Sequence, residues 1–392
     1  MNFPAAFPGC RLKRWDNVYS KNKNKSIHLF KNSSIKNEKK RASLLREKIR
    51  PVNITEVTTL KDLVDSWGQC GLQSRKLAEC AKVYESMLLD KDRPTVMLGI
   101  SGALIAGGLR KVLSDMISEG LVDVVVSTGA ILYQDYYAAK GYAHSRGSPY
   151  ADDSKLHALY INRIYDTYVD EIGFVECDEY IANFCNTLEP KRYSTREFFY
   201  KLGSTLNDEH SVLYNAYRYD VPVYCPAIAD SSVGIGAVLH YRSAKANKVS
   251  PVMIDTIKDN YEIGQIVLTS KKTGAIYVGG GVPKNYINDA AIMFDYTKGH
   301  TYAFQITTAS PQWGGLSGST LDEAKSWGKV STKAHRSTVY GEATIILPLI
   351  VGYILQKGIH DGRPRLKFLW NDDTLRGIKK IRKKDSSKER KN

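Results

Sequence analysis

Two short apolar runs, PTVMLGI (94–100) and LVDVVVSTGA (121–130), flank SGALIAGGLRKVLSDMISEG, whose apolar residues recur at helical spacing. Continuous apolar runs of this length suit strands buried on both faces. Strand, helix, strand at this separation is the crossover unit of a parallel sheet. The alternation continues toward the C-terminus. VPVYCPAIAD (221–230), GAIYVGGG (274–281) and TYAFQITTA (301–309) read as strands. SPVMIDTIKDNYEIGQIVLTSK (250–271), VPKNYINDAAIM (282–293), STLDEAKSW (319–327) and EATIILPLIVGYILQKG (342–358) read as helices. The pattern predicts an α/β fold: a Rossmann-like, doubly wound, mostly parallel sheet with helices on both faces. Upstream, residues 56 to 90 read as two amphipathic helices around Gly68 to Gly71. Residues 138–210 are polar and Tyr-rich and read as an excursion over the sheet, with a helical stretch at DSKLHALYINRIYDTYV (153–169).

The formal charge of +15 is unevenly placed. Residues 1–50 carry 14 Lys/Arg against 3 Asp/Glu, and residues 361–392 carry 12 against 5. The two ends therefore hold +11 and +7, which leaves −3 for everything between them. Such basic, weakly apolar ends are expected to be disordered, as an extension over 1–55 and a tail over 361–392, flanking a catalytic domain over 56–360. Weak contact with nucleic acid through these ends is compatible with their charge, but a slightly acidic body argues against a dedicated nucleic-acid fold. No apolar run reaches the length of a membrane span. The six cysteines form no CxxC pair and have no accompanying His cluster, so no metal site is expected. Scattered cysteines and no signal-peptide pattern point to a reducing compartment, the cytoplasm.

In open α/β sheets, ligands lie beyond the carboxyl ends of the strands. Here those ends are Ser101-Gly102, Ser127-Thr128-Gly129, Ala229-Asp230, Gly279-Gly280-Gly281 and Thr307-Thr308-Ala309. All are small or hydroxylated, so backbone N–H groups can approach a phosphate closely. Each alone also fits a tight turn. GISGALIAGG only approximates a dinucleotide fingerprint.

The segment LDEAKSWGK (321–329) ends on a lysine just after a Trp-Gly break. Thr320 and Glu323 have capping-box spacing, and Gly328 has the position of a helix terminator. On spacing alone Lys329 is either a residue beyond a helix end or a nucleophile. A nucleophilic lysine needs a dry neighbour that favours its neutral form, and Trp327 is placed to supply one. Glu323 and Trp327, four apart, share a helix face.

These residues carry a resemblance. LKDLVDSWGQCGLQSRKLAE, VMLGISGALIAGGLRK, LVDVVVSTGA, VPVYCPAIADSSVG, YVGGGVPKNYI, ITTASPQWGGLSGSTLDEAKSWGKV and VYGEATIILPLIV occur in the order found in deoxyhypusine synthases. From about residue 56 to 358 the sequence resembles that family, and its GGGVPKN and QWGGLSG wording is most similar to the bacterial and archaeal deoxyhypusine synthase-like branch. The resemblance implies a homotetramer that binds NAD and transfers the aminobutyl group of spermidine through a lysine imine. The acceptor is a lysine of the translation initiation factor 5A precursor or, in homospermidine synthesis, putrescine. It implies Lys329 as the imine-forming nucleophile, with Glu323, Trp327 and Asn285 at substrate positions. It places Ser101, Ser127, Thr128, Asp230, Gly279, Gly280, Gly281, Thr308 and Glu342 at cofactor-contacting segments.

Four departures accompany it. Asn285 follows Lys284 where the family has its catalytic histidine, and Ile235, Leu316 and Tyr133 stand where carboxylates are expected. Asparagine is no general base near neutral pH, and a buried ammonium without its carboxylate is costly. The departures imply imine chemistry with an altered donor, acceptor or pose. They also leave open a catalytically weak, NAD-binding regulatory paralogue of an active synthase.

Overall fold

A computed structural model of the chain describes residues 38–382. Residues 38–50 carry helix α1 (Glu38–Leu44). The rest of the expected N-terminal disorder, over 1–37, lies outside the described residues.

From residue 51 onward the chain forms one unit. It opens with α2 (Leu60–Trp67) and α3 (Leu72–Leu89), the helix pair expected around Gly68 to Gly71. Then follow β1 (Thr95–Ile100), α4 (Arg110–Ser118), β2 (Val124–Ser127) and α5 (Gly129–Ala139). The excursion holds β3 (Ser145–Arg146), α6 (Asp153–Ala158), β4 (Ile161–Ile164), β5 (Thr167–Asp170), α7 (Glu171–Asn186), β6 (Arg192–Tyr193), α8 (Thr195–Ser204) and α9 (Val212–Tyr219). The chain returns through β7 (Val223–Tyr224), α10 (Ser232–Ala246), β8 (Met253–Ile254), α11 (Thr256–Thr269), β9 (Thr273–Val278) and α12 (Gly281–Ala290). It ends with β10 (His300–Thr307), α13 (Glu323–Ser326), β11 (Val330–Tyr340), α14 (Ala343–Gln356), β12 (Arg365–Asn371) and β13 (Thr374–Ile381).

The main sheet has the order β11-β10-β9-β1-β2-β7, and every pairing in it is parallel. Successive side chains of a strand point to opposite faces. Accordingly Leu98, Ile100, Val125, Ile276 and Phe304 enter one core, and Met97, Val124, Val126, Tyr277 and Ala303 enter the other. Residues of α3, α4, α5 and α14 fill the first core; residues of α11 and α12 fill the second. The expected doubly wound α/β fold is therefore the observed one.

Three expectations are corrected. The helix read from residue 101 starts only at Arg110, because Gly102 and Gly108 take left-handed φ values of 94° and 87° and hold 101–109 as a loop. The helix read over 153–169 stops at Ala158; beyond it INRI and TYVD pair as antiparallel strands, an arrangement that suits their β-branched residues. The tail read as disordered from 361 instead forms the antiparallel hairpin β12–β13 through residue 381. Its period-2 apolar residues Leu366 and Phe368 are buried in the second core, with Trp370, Leu375 and Ile378 packed against it. Arginines tie the hairpin down. Arg363 donates to the carbonyls of Gly120 and Pro94, and Arg365 to those of Ile117 and Ser118. Arg93 forms a two-pronged pair with Asp123 at 2.7 and 2.8 Å and reaches the Pro364 carbonyl. Burial pushes the Asp123 carboxyl up, but Arg93 and Arg363 outweigh it and hold the group at about 2.

The pattern also hid two elements. β11 (VSTKAHRSTVY) is the charged edge strand of the sheet, where Lys and Arg are usual on the outer side. α10 buries only Val233, Gly234, Gly236, His240 and Ala244, too few apolar residues for a strong helical stripe.

Candidate active site

The strand order reverses between β1 and β9: the chain moves outward through β2 and β7 on one side and through β10 and β11 on the other. That is the switch point at which open α/β sheets bind ligands. Ser101 follows β1 there and Gly279 follows β9. The Gly280 amide donates to Ser101 Oγ at 2.9 Å, and the Gly279 amide donates to the Ile306 carbonyl at 2.8 Å. A Cβ on Gly280 would stand 2.4 Å from Ser317 Cα, so only glycine lets the 310–319 loop lie this close. Gly281 has a φ of 58° with open space where a side chain would point.

The other cofactor candidates extend the same row. Ser127 is buried and donates to the Thr128 carbonyl. Thr128 N-caps α5 without using its side chain to do so. Asp230 is exposed and precedes Ser231, whose Oγ lies 2.1 Å from where a Gly129 Cβ would be. Thr308 is exposed past the end of β10. Glu342 follows β11, and its Oε2 accepts from the Thr344 amide as the N-cap of α14, so one of its oxygens is already engaged. Open space beside left-handed glycines and an unused hydroxyl at a switch point fit a dinucleotide.

α12 leads from this row to the lysine. Lys284, 2 % exposed, sends its ammonium to Gln305 Oε1 (3.0 Å), the Leu316 carbonyl (3.2 Å), Ser319 Oγ (2.9 Å) and the Ser319 carbonyl. Burial pushes its pKa down to about 8, with Glu323 acting in the other direction. Lys284 thereby anchors the 316–319 loop that carries Leu316.

Next to Lys284 in sequence, Asn285 shares a helix face with Asp289 at i, i+4. Lys329 Nζ lies 2.7 Å from Asp289 Oδ1 and donates to Asn285 Oδ1 at 3.3 Å. Asn285 Nδ2 donates to Asp289 Oδ2 at 2.9 Å, which closes the ring. The Trp327 ring centroid stands 5.3 Å from Lys329 Nζ, within cation–π reach. The capping box forms as spaced: the Glu323 amide donates to Thr320 Oγ1 at 3.0 Å and the Thr320 amide to Glu323 Oε2 at 3.3 Å. Gly328 then turns the chain with a φ of 72°. These contacts bring Lys329, Trp327 and Asn285 together; Glu323 sits at the head of the short helix, closer to Lys284 in its electrostatics.

The aromatic wall is present but not dry, since Trp327 is 64 % exposed. Trp313, Leu316, Val282 and Tyr296 are exposed as well. Of the departures, Ile235 is exposed, while Tyr133 is buried and donates to the Phe174 carbonyl at 2.6 Å. Sequence reasoning missed Asp289 and Lys284. The signal for Asp289 was its i+4 spacing from Asn285; for Lys284 it was a charged residue among Pro283, Tyr286 and Ile287, all buried.

The deoxyhypusine synthase family pattern matches residues 62–354. The chain belongs to the deoxyhypusine synthase family. A deoxyhypusine synthase-like protein of Chlorobaculum parvum is 41% identical over 338 residues, 84% of this chain and 95% of its own length. A Methanosarcina acetivorans protein named probable deoxyhypusine synthase 2 is 43% identical over 311 residues, 77% of this chain and 88% of its own length. A solved structure from Entamoeba histolytica, described as a candidate deoxyhypusine synthase, shares the fold with a TM-score of 0.56 at 18% identity. It covers 78% of this chain and 96% of its own. The family match stops at residue 354, so the β12–β13 hairpin lies beyond it. Membership makes a transferase the chemistry against which the site is read, and no helix among the described residues is long and apolar enough to cross a membrane.

Proposed function

We propose that this deoxyhypusine synthase family member is an NAD-dependent alkylamine transferase that carries an aminobutyl group, from spermidine or a related polyamine, as an imine on Lys329. The observation that supports this most directly is the Lys329 amine held between the Trp327 face and the Asn285–Asp289 pair. When bound, NAD supplies the hydride acceptor for the carbon beside the substrate's secondary amine, and later the donor. Ser101, Thr128, Asp230, Gly279, Gly280, Gly281, Thr308 and Glu342 would hold it along the strand ends. Ser127, being buried, would shape the turn from behind.

Lys329 adds to the oxidised carbon, 1,3-diaminopropane leaves, and the acceptor amine then displaces the lysine. Trp327 and Glu323 bind and orient the cationic chain. The acceptor is either a small amine such as putrescine or a lysine of the translation initiation factor 5A precursor. The carboxylate-free positions Ile235 and Leu316 favour a donor or acceptor with fewer charges to satisfy. A homotetramer in the cytoplasm goes with this reading, and the exposed apolar side chains around Trp327 support a neighbouring copy that excludes water from this site.

Asn285 in place of the family histidine favours one other reading, a weak paralogue that regulates an active synthase. A single experiment separates the two. The protein is incubated with NAD and, separately, spermidine, putrescine or agmatine, then reduced with borohydride, and adducts are mapped by mass spectrometry. A spermidine-derived aminobutyl group on Lys329 is the expected result. No adduct with any amine, in protein that binds NAD, would sink the transferase reading.

A further inference from the structure

Asp289 is the group at the Lys329 end of α12 whose role the proposed activity does not assign. Its side chain is 45% exposed, against 15% for Lys329. Lys329 Nζ takes Oδ1 and Asn285 Nδ2 takes Oδ2, one protein partner for each oxygen. An ionised carboxylate accepts about four hydrogen bonds, so it retains capacity on its solvent side. The exposed Trp327 indole lies next to the same ammonium. A solvent-facing carboxylate beside an aromatic face is a cation site. In the free protein the cation in that site is the chain's own Lys329.

That arrangement conflicts with the work of a nucleophile. Only the neutral amine attacks a carbon, and Lys329 stands in an ion pair with Asp289 at 2.7 Å. The conflict resolves if the substrate brings a cation of its own. We propose that the ammonium of an incoming amine substrate takes over Asp289 from Lys329, so that substrate binding itself releases Lys329 as a neutral amine. Before binding, Asp289 and Lys329 together are neutral. A second ammonium on the same carboxylate leaves one positive charge in excess, and repulsion between the two cations drives a proton from Lys329 to solvent. Asn285 keeps its bond to Asp289 and holds the carboxylate in place through the exchange. Lys284 is engaged by the 316–319 loop, and one oxygen of Glu323 by the Thr320 cap. Asp289 is thus a specificity-determining residue for cationic substrates and stands in for the missing base without accepting the proton itself.

The inference rests on Lys329 being the nucleophile of the proposed transfer, and its test needs neither NAD nor a polyamine. The full chain is treated at pH 7.5 with butanal, which is uncharged, or 4-(trimethylammonio)butanal, whose fixed cation cannot cyclise onto the aldehyde, in the presence of cyanoborohydride. Lys329 loses water with the aldehyde to form the imine, the cyanoborohydride hydride reduces it, and mass spectrometry reads the rate of stable adduct. Asp289→Asn is expected to speed butanal labelling by about threefold or more and to weaken 4-(trimethylammonio)butanal saturation by about tenfold. Asp289→Glu is expected to restore both toward wild type. Tetramethylammonium, which forms no imine, is expected to accelerate butanal labelling of the wild type saturably and to leave Asp289→Asn unaffected.

Slower labelling by both aldehydes in Asp289→Asn, or no change in either, overturns the exchange. If that variant does not fold, absence of the tetramethylammonium effect on the wild type overturns it alone. Expected aldehyde results without a polyamine adduct would retain the exchange and reject the transferase. A polyamine adduct with unchanged aldehyde rates would do the reverse.

Discussion

The two ends of α12 are built from different materials. At its Gly281 end the site consists of turns, small side chains and backbone amides, fixed by strand order and by glycines that nothing larger replaces. At its Asp289 end the site consists of side chains: an ammonium, a carboxylate, a carboxamide and an indole. The two residues are eight apart, roughly 12 Å along the helix. A backbone-made site changes little as sequences drift, because any small residue that keeps the turn keeps the amides. A site made of side chains changes with each substitution, and two of the departures from the family, Asn285 and Leu316, lie on α12 or on the loop that Lys284 anchors to it.

The sharpest way to separate the ends is Lys329→Ala. Borohydride-trapped adduct should fall at least about a thousandfold, to background, while NAD affinity by titration calorimetry stays within about twofold, because one end loses its nucleophile and the other loses nothing. A large loss of NAD affinity would mean the two ends are one coupled site.

The reverse lesion is Gly280→Ala. Its Cβ would collide with the main chain of Ser317, so the 310–319 loop must move. NAD affinity should drop about tenfold, and butanal labelling of Lys329 should change by less than about twofold.

A smaller effect tests the link between the ends. Burial lowers the Lys284 pKa to about 8 from the ordinary 10.5. Between these values the unfolded chain binds more protons than the folded one, so stability rises with pH through that window. The penalty for burying the charged form is fully present below about pH 8. Urea denaturation of wild type and Lys284→Met should therefore diverge from pH 8 to 10, the wild type gaining about 2 kcal/mol relative to the variant. Parallel curves would show that its four acceptors keep Lys284 charged throughout.

The same division explains what could be read from the sequence. The sheet and the row from Ser101 to Thr308 follow from apolar periodicity and small residues at strand ends, both local signals; the strand order, and with it the switch point, does not. The Thr320–Glu323 cap and Gly328 were equally local. Asp289 was not, because its meaning depends on Lys329, forty positions later, arriving on the same face. The 365–381 hairpin was masked by composition: its lysines and arginines are as many as the alternating apolar residues that pack it. Trp327 was read correctly as the neighbour of Lys329, but its exposure depends on what surrounds the chain, which spacing does not encode.

The arginine clamp beneath the sheet has a consequence for how the molecule is made. Arg93 and the Pro364 carbonyl it holds are 271 residues apart, and Arg363 reaches Gly120 across 243. During translation, β1 and β2 are available long before the hairpin that completes the second core. Until residues 363–381 emerge, Asp123 lacks Arg363 and the second core lacks Leu366 and Phe368. The second core therefore waits incomplete after its helices are made, and the last described ribbon acts as its closing latch.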